Sequence, residues 1–257
     1  MMNNQPSYDR PATLDWLPTP DNAIFLPPET PQAEALPPPW KLRGDGYIFI
    51  YRFPREFTER HGFIAPPHES AFVGGLGAVM LVDYHSAPCG PYRELLFIPG
   101  KFQVDGREYY SITKIYVSSQ ASIDNGRANW GIPKEYADFD VTAVADRHER
   151  ISLRQQGLLR AEWEISHLPL LVPITTALIP TAVRSLVHGA FGKWFVVAPG
   201  GWGWLSAVRL HSFNTDPTFF PPVGEFKPAY MVRARNFHLT FPAPEIKVMG
   251  DSHSSDE

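Results

Sequence analysis

The sequence predicts a β-rich α+β fold, mainly antiparallel, with few helices. Three observations carry that prediction. About ten short runs are rich in β-branched and aromatic residues, only two or three stretches show helix start and stop signals, and no internal repeat is visible. The chain has 257 residues, 44% of them hydrophobic. A chain of this length buries roughly three quarters of its extended surface, enough for a core without staples.

Residues 1–40 read as a proline-rich arm that ends in Pro37-Pro38-Pro39. Proline fixes φ and lacks a backbone donor, so regular sheet is not expected there. Trp16, Leu17, Ile24, Phe25 and Leu26 are too apolar for a solvated tail, so the arm is expected to lie on the body or on a neighbouring subunit. One domain is expected over residues 41–249. Residues 250–257 form an acidic tail that should fray.

The first strand is expected at Tyr47–Arg52, where aromatic and β-branched residues suit a pleated surface. Pro54–Arg60 reads as a short helix, with proline tolerated in the first turn and Gly62 ending it. Phe72–Tyr84 reads as a strand interrupted at Gly74, Gly75 and Gly77, and Tyr92–Ile98 as another. Phe102–Val104 and Arg107–Val117 flank Asp105-Gly106, a strong two-residue hairpin signal. Ser118 or Ser119 caps a helix over about 121–129, Gly131 fits its C-terminal cap, and Pro133 follows where a helix cannot continue. Further strands are expected at Phe139–Val144, Arg150–Arg154, Leu158–Ile165, Trp194–Ala198, Trp204–Arg209 and Phe237–Phe241, and a second helix over Thr181–Phe191.

Composition removes several function classes. The net charge is −4 and no lysine or arginine cluster stands out, which argues against a nucleic-acid partner. Cys89 is the single cysteine and the nine histidines lack metal-ligand spacing, so no disulfide, metal or other cofactor is expected. The apolar stretch Leu168–Val187 holds three prolines and Arg184, which favours a folded connection over a membrane span. The first residues lack the features of a signal peptide, so a cytoplasmic location is expected. Gly74-Gly75-Leu76-Gly77 is followed by no convincing helix and is not read as a phosphate loop.

The residue that stands out chemically is Lys134, placed after Pro133 and close to Trp130 and Ile132. Lysine is ordinarily a surface residue. An amine with a pKa of roughly 10.4 is almost wholly charged at neutral pH, and apolar surroundings disfavour that charge and free the lone pair. An imine-forming nucleophile needs that lone pair. On the residues alone, a solvated loop lysine is the favoured reading of Lys134. Lys114, inside an apolar strand, is the second nucleophile candidate, with an outward-facing strand lysine as its plainer alternative.

Gly126-Arg127, five further residues and then Pro133-Lys134 resemble the lysine motif of the acetoacetate decarboxylase family. Gly90-Pro91-Tyr92-Arg93-Glu94 resembles its Gly-x-Tyr-x-Glu segment, and Tyr47–Arg52 its first core strand. The resemblance runs from about Pro37 to about Asp140. It implies an open or conical β-barrel in a sandwich-like domain, a homo-oligomer, a small keto acid as partner, and decarboxylation through a lysine Schiff base without a cofactor. The family is itself a familiar example of lysine activation by desolvation or a neighbouring cation, so that activation comes with the resemblance.

The resemblance also implies site roles. Lys134 is the nucleophile and Glu94 positions or moves protons at the imine; an open-face strand glutamate is the alternative for Glu94. Arg127 is a substrate contact or a structural ion pair. Arg43, one position from the family's carboxylate-binding arginine, is a candidate for the substrate carboxylate. Val79, Tyr92 and Trp130 are candidate pocket walls.

Three positions depart from the family pattern. Its second lysine is Glu135 here, its second acid is Val79, and its glutamate after Gly-Arg is Ala128. A carboxylate ~5 Å from Lys134 would favour the ammonium by about 3 kcal/mol at an effective dielectric of 20, the wrong direction for a nucleophile. Neighbours in an extended segment point opposite ways, so the effect depends on which way Glu135 faces. The altered acid set keeps two other outcomes open: a Schiff-base aldolase, dehydratase or hydratase on a larger oxo acid, and a non-catalytic binder of apolar carbonyl compounds.

Overall fold

The computed structural model of the protein describes residues 34–65 and 68–249. They lie within one compact unit, residues 33–257. In chain order the strands are β1 (Trp40–Arg52), β2 (Phe72–Gly74), β3 (Leu76–Ser86), β4 (Tyr92–Ile98), β5 (Lys101–Val104), β6 (Arg107–Tyr110), β7 (Lys114–Val117), β8 (Lys134–Tyr136) and β9 (Asp138–Ala145). They continue as β10 (His148–Gln155), β11 (Leu158–His167), β12 (Val172–Thr175), β13 (Leu186–Ala190), β14 (Lys193–Val197), β15 (Gly200–Thr215), β16 (Tyr230–Phe241) and β17 (Glu245–Val248). The helices are α1 (Arg55–His61), α2 (Gln120–Trp130) and α3 (Thr181–Arg184).

Two sheets result. The first has eleven strands in the order β8-β7-β4-β3-β1-β16-β15-β11-β10-β9, with β12 paired to β15; the second runs β17-β14-β13-β6-β5-β2. The large sheet does not close into a barrel, since β8 and β9 are both ends of the path. It curls, and its two faces carry different cores. Because strand residues alternate, β4 sends Leu95 and Phe97 to one cluster, with Tyr47, Phe49, Val79 and Trp163. It sends Tyr92, Leu96 and Ile98 to the other, with Trp40, Tyr84, Ile123 and Trp130. The second cluster lies where α2 covers the sheet.

Most expected elements form, with longer ends. The Asp105-Gly106 turn has positive φ at both residues, +48° and +72°, as the tight hairpin requires. The strand break falls at Gly74 and Gly75, both at positive φ. Arg107–Val117 is not one strand: Ser111-Ile112-Thr113 carries the chain from one sheet to the other, and their donors leave the ladder. Ile112 N–H goes to His188 and Thr113 N–H to the Phe97 carbonyl.

The expected helix over Thr181–Phe191 is overturned. Only Thr181–Arg184 is helical, and Leu186–Ala190 is a strand hairpinned onto β14 through Phe191 and Gly192, both at positive φ. Val187, His188 and Gly189 are weak helix formers, and burying Val187 and His188 in the sheet decides the matter. Strand β12 arises from the apolar stretch that was expected to be a connection. Within the described residues no helix is long and apolar enough to cross a membrane.

Residues 1–33 of the expected arm, and the tail 250–257, lie outside the described residues. The end of the arm is fastened to α2. Leu36 N–H donates to Asn125 Oδ1 at 2.7 Å, and Asn129 Nδ2 donates to the Leu36 carbonyl at 2.8 Å.

Helix α2 is capped as the sequence predicts. Ser119, extended at φ −135°, accepts from Ser122 N–H at 3.3 Å, and Gly131 closes the other end in the left-handed region at φ +64°. Replacing Ser119 with Ala is expected to lower stability by about 1 kcal/mol, read as a shifted urea midpoint at constant m-value.

Candidate active site

Three elements meet at Lys134. Gly131 stops α2, Pro133 turns the chain, and Lys134 opens β8, which runs parallel to β7 with Lys134 opposite Ile115. The residue is 4% exposed, and its side chain runs back beneath α2. A methyl group at Gly126 would sit 2.7 Å from Lys134 Cδ and 2.9 Å from Cε. Only glycine leaves that channel open. Ser122, one helical turn before Gly126 and on the same face, places its Oγ 2.9 Å from Nζ.

The facing sheet supplies the other partners. Glu94 Oε2 lies 3.2 Å from Nζ, with both side chains 6% exposed. Tyr92, two residues earlier on the same face of β4, brings its hydroxyl to 3.5 Å and its ring centroid to 5.0 Å from Nζ. Tyr84, opposite Tyr92 on β3, donates its hydroxyl to Glu94 Oε1 at 3.2 Å. An ammonium has three donors, and here three oxygens surround it. Burial, reinforced by the charge of Glu94, pushes both phenols well above their usual pKa, so they remain protonated donors. Removing one member of a buried ion pair typically costs 3–5 kcal/mol, because the other charge is left uncompensated.

Glu135 faces the other way. It pairs in register with Tyr116, and its Oε1 lies 2.6 Å from Lys114 Nζ. Lys114 also sits over the rings of Phe63 and Tyr116, at 4.8 and 4.9 Å. The second nucleophile candidate is therefore an ion-paired lysine on the opposite face of the sheet from the Lys134 amine.

The structure brings together Lys134, Glu94 and Tyr92 of the predicted site residues. The other four lie apart. Val79 belongs to the core on the opposite face of the sheet, in register with Phe97. Arg43 is exposed on β1, alternating with the buried Leu42. Arg127 is exposed on the outer face of α2, next to Ala128. Trp130 shares the Lys134 side of the sheet, but it is 2% exposed, packs edge-on against Trp40 and Phe241, and donates to the Pro242 carbonyl. It is core.

Ser122, Tyr84 and Gly126's clearance role were not read from the sequence. The spacing of Ser122 and Gly126 on one helical face was the available signal; nothing local marks Tyr84. Cys89 borders the cluster: burial pushes its thiol up, while the charge of Lys134 and hydrogen bonds from Ser122 and Ser119 oppose the shift.

His188 was also missed. It is 1% exposed on β13, and its Nε2 accepts Ile112 N–H at 3.3 Å. Its Nδ1 has no hydrogen-bond partner among the described residues. Burial first, then the charges of His68 and Lys134, lower its pKa to about 3. Burial lowers His68 to about 4, against a hydrogen bond with the Val187 backbone.

Comparison with known proteins bears on the family and the fold. Residues 24–186 match the family model described as acetoacetate decarboxylase (ADC). The acetoacetate decarboxylase structure from Legionella pneumophila superposes with a TM-score of 0.60 at 14% identity, covering 89% of this chain and 94% of that one. The enduracididine biosynthesis enzyme MppR complexed with pyruvate gives 0.54 at 17% identity, covering 88% and 96%. An acetoacetate decarboxylase-like enzyme from Sphingomonas wittichii RW1 gives 0.56 at 8% identity, covering 82% and 93%. A search of curated proteins finds no match.

The two lowered histidines make stability depend on acid. Between pH 6.5 and about 4 the unfolded chain binds protons at these sites and the folded chain does not, so stability falls as pH falls. The expected loss is about 1.4 kcal/mol per pH unit for each histidine well below its unfolded pKa. Urea titrations from pH 7 to pH 4 measure it, and replacing His188 with Asn should flatten the dependence.

Proposed function

We propose that this chain, which belongs to the acetoacetate decarboxylase family, releases carbon dioxide from a β-keto acid through an iminium formed on Lys134. The observation that carries this reading is the buried Lys134–Glu94 contact, 3.2 Å between two side chains each 6% exposed, with Glu135 turned away to Lys114.

The chemistry follows from that contact. Lys134 passes a proton to Glu94 and attacks the substrate ketone through its freed lone pair. The carbinolamine oxygen takes a proton and leaves as water, which gives the iminium. The bond to the carboxylate breaks, its electron pair moves into the enamine, and carbon dioxide departs. Protonation at carbon and addition of water then release the ketone and the lysine. Glu94 is the group placed to accept and return these protons. The phenol of Tyr92 and the hydroxyl of Ser122 orient Nζ before attack and the carbinolamine oxygen after it. The iminium is the electron sink, so the reading calls for no cofactor. The partner on this reading is a small keto acid.

A second reading keeps the iminium and changes its fate: an aldolase, dehydratase or hydratase acting on a larger oxo acid. It is favoured by the exposure of Arg43 and Arg127, which leaves the substrate carboxylate without either expected cation. The neighbour solved with pyruvate is compatible with it. A homo-oligomer in the cytoplasm fits both readings, and exposed Leu170 and Leu178, at 72% and 86%, are suited to contacts between copies.

Borohydride reduction in the presence of acetoacetate, followed by peptide mass spectrometry, tests the iminium. A stable adduct on Lys134 is expected, and Lys134→Ala should lose both adduct and turnover while remaining folded. Absence of an adduct across a panel of keto acids would leave a binder of apolar carbonyl compounds. An adduct without carbon dioxide release would select the second reading.

Because Glu135 is on the other face of the sheet, Glu135→Gln is expected to leave the pH–rate profile of Lys134 in place. A shift of a full pH unit would show that the carboxylate does reach the amine.

A further inference from the structure

A cavity of about 410 Å³ lies away from Lys134, bounded by β9, β10, β11, β15 and β16. It opens on the other face of the large sheet: Arg233 in its wall is in register with Tyr47, which belongs to the core opposite Lys134. Small and apolar side chains, including Ala143, Ala145, Leu168 and Leu171, form one side. Arg147, His167, Ser206, Arg233 and Arg235 supply most of the polar side.

The hydrogen-bond inventory of this wall is unbalanced. Ser206 and Arg233 are cross-strand partners on β15 and β16. Ser206 is 4% exposed, and neither its Oγ nor Arg233 Nε has a partner among the described residues. Two buried donors therefore stand side by side with nothing to receive them, which is costly unless a ligand or water does.

The nearby acids are already engaged. Asp45 accepts from Arg233 Nη2 at 3.1 Å and from Asn236 N–H at 2.7 Å, and Glu149 accepts from the Tyr47 hydroxyl. Arg233 Nη1 contacts His167 Nε2, which holds that ring in its neutral, accepting form. Burial, then Arg233, lowers the His167 pKa in the same sense. Arg235 stands exposed on the same strand, two residues on.

We propose that this cavity is a second binding site, for a small organic carboxylate, whose oxygens accept from Ser206 Oγ and Arg233 Nε while its short apolar part lies against Leu168 and Ala143. Arg235 contributes charge at the rim. The side chains present fit such a ligand: two converging donors, an adjacent guanidinium, an apolar wall, and one wall carboxylate, Glu149, that already accepts from the Tyr47 hydroxyl.

Titration calorimetry of the full chain with propionate, against chloride at matched ionic strength and against inorganic phosphate, tests the proposal. Propionate should bind wild type and Lys134→Ala equally, and bind tighter than phosphate. Ser206→Ala should weaken it roughly tenfold without lowering the ligand-free melting temperature, because the hydroxyl it removes has no protein partner. Arg235→Gln, at the exposed rim, should weaken it as well and serves if the first variant folds poorly. No propionate heat beyond chloride, tighter binding of phosphate, or binding lost in Lys134→Ala and kept in Ser206→Ala would each overturn it.

Discussion

An amine and a carboxylate taken out of water together, Lys134 and Glu94, govern the construction around them. Each has lost most of its hydration, and neither is stable there alone. The fold has to bring an oxygen to every proton of the amine, and it does so from two independent directions. Helix α2 contributes Ser122 from above, and strand β4 contributes Tyr92 and Glu94 from below, with Tyr84 of β3 donating to Glu94.

That demand explains details that look arbitrary in isolation. Gly126 lies over the lysine stem because any Cβ would overlap it. Gly131 takes a left-handed conformation to end α2, while the backbone of Ile132 and Lys134 folds tightly before β8 begins. The parallel β7–β8 register then sends Lys134 toward α2 and Glu135 toward Lys114. A slip of one residue would exchange them and put a carboxylate beneath the helix.

The sequence showed this region well because its signals are local. A serine cap, a glycine stop and a following proline define α2 and the place of Lys134 within one or two residues. The Asp105-Gly106 hairpin was legible for the same reason. Where signals were not local, expectation failed. Thr181–Phe191 was expected to be a helix, yet its second half hairpins onto β14 and borders β6, a strand far away in the chain. Arg107–Val117 reads as one strand, and nothing in it announces the change of sheet at Ile112. Val79 was expected in the pocket from the family resemblance, but it lies an odd three positions from Val82, the register partner of Glu94, so it faces the other core.

By itself, then, the sequence determined the β-rich class and the α2 boundaries, and a family resemblance carried by short motifs pointed to the lysine and to a Gly-x-Tyr-x-Glu strand beside it. Each depends on backbone preferences or motifs a few residues long. Only the tertiary structure decided which face each side chain takes, and so which charges meet. It gave Ser122 to the amine and Tyr84 to Glu94, withdrew Arg43, Arg127 and Val79, turned Glu135 aside, and left donors of Ser206 and Arg233 unanswered among the described residues. Those outcomes depend on strand register and sheet order. Both are set by contacts between segments far apart in the chain, which no short stretch of residues encodes.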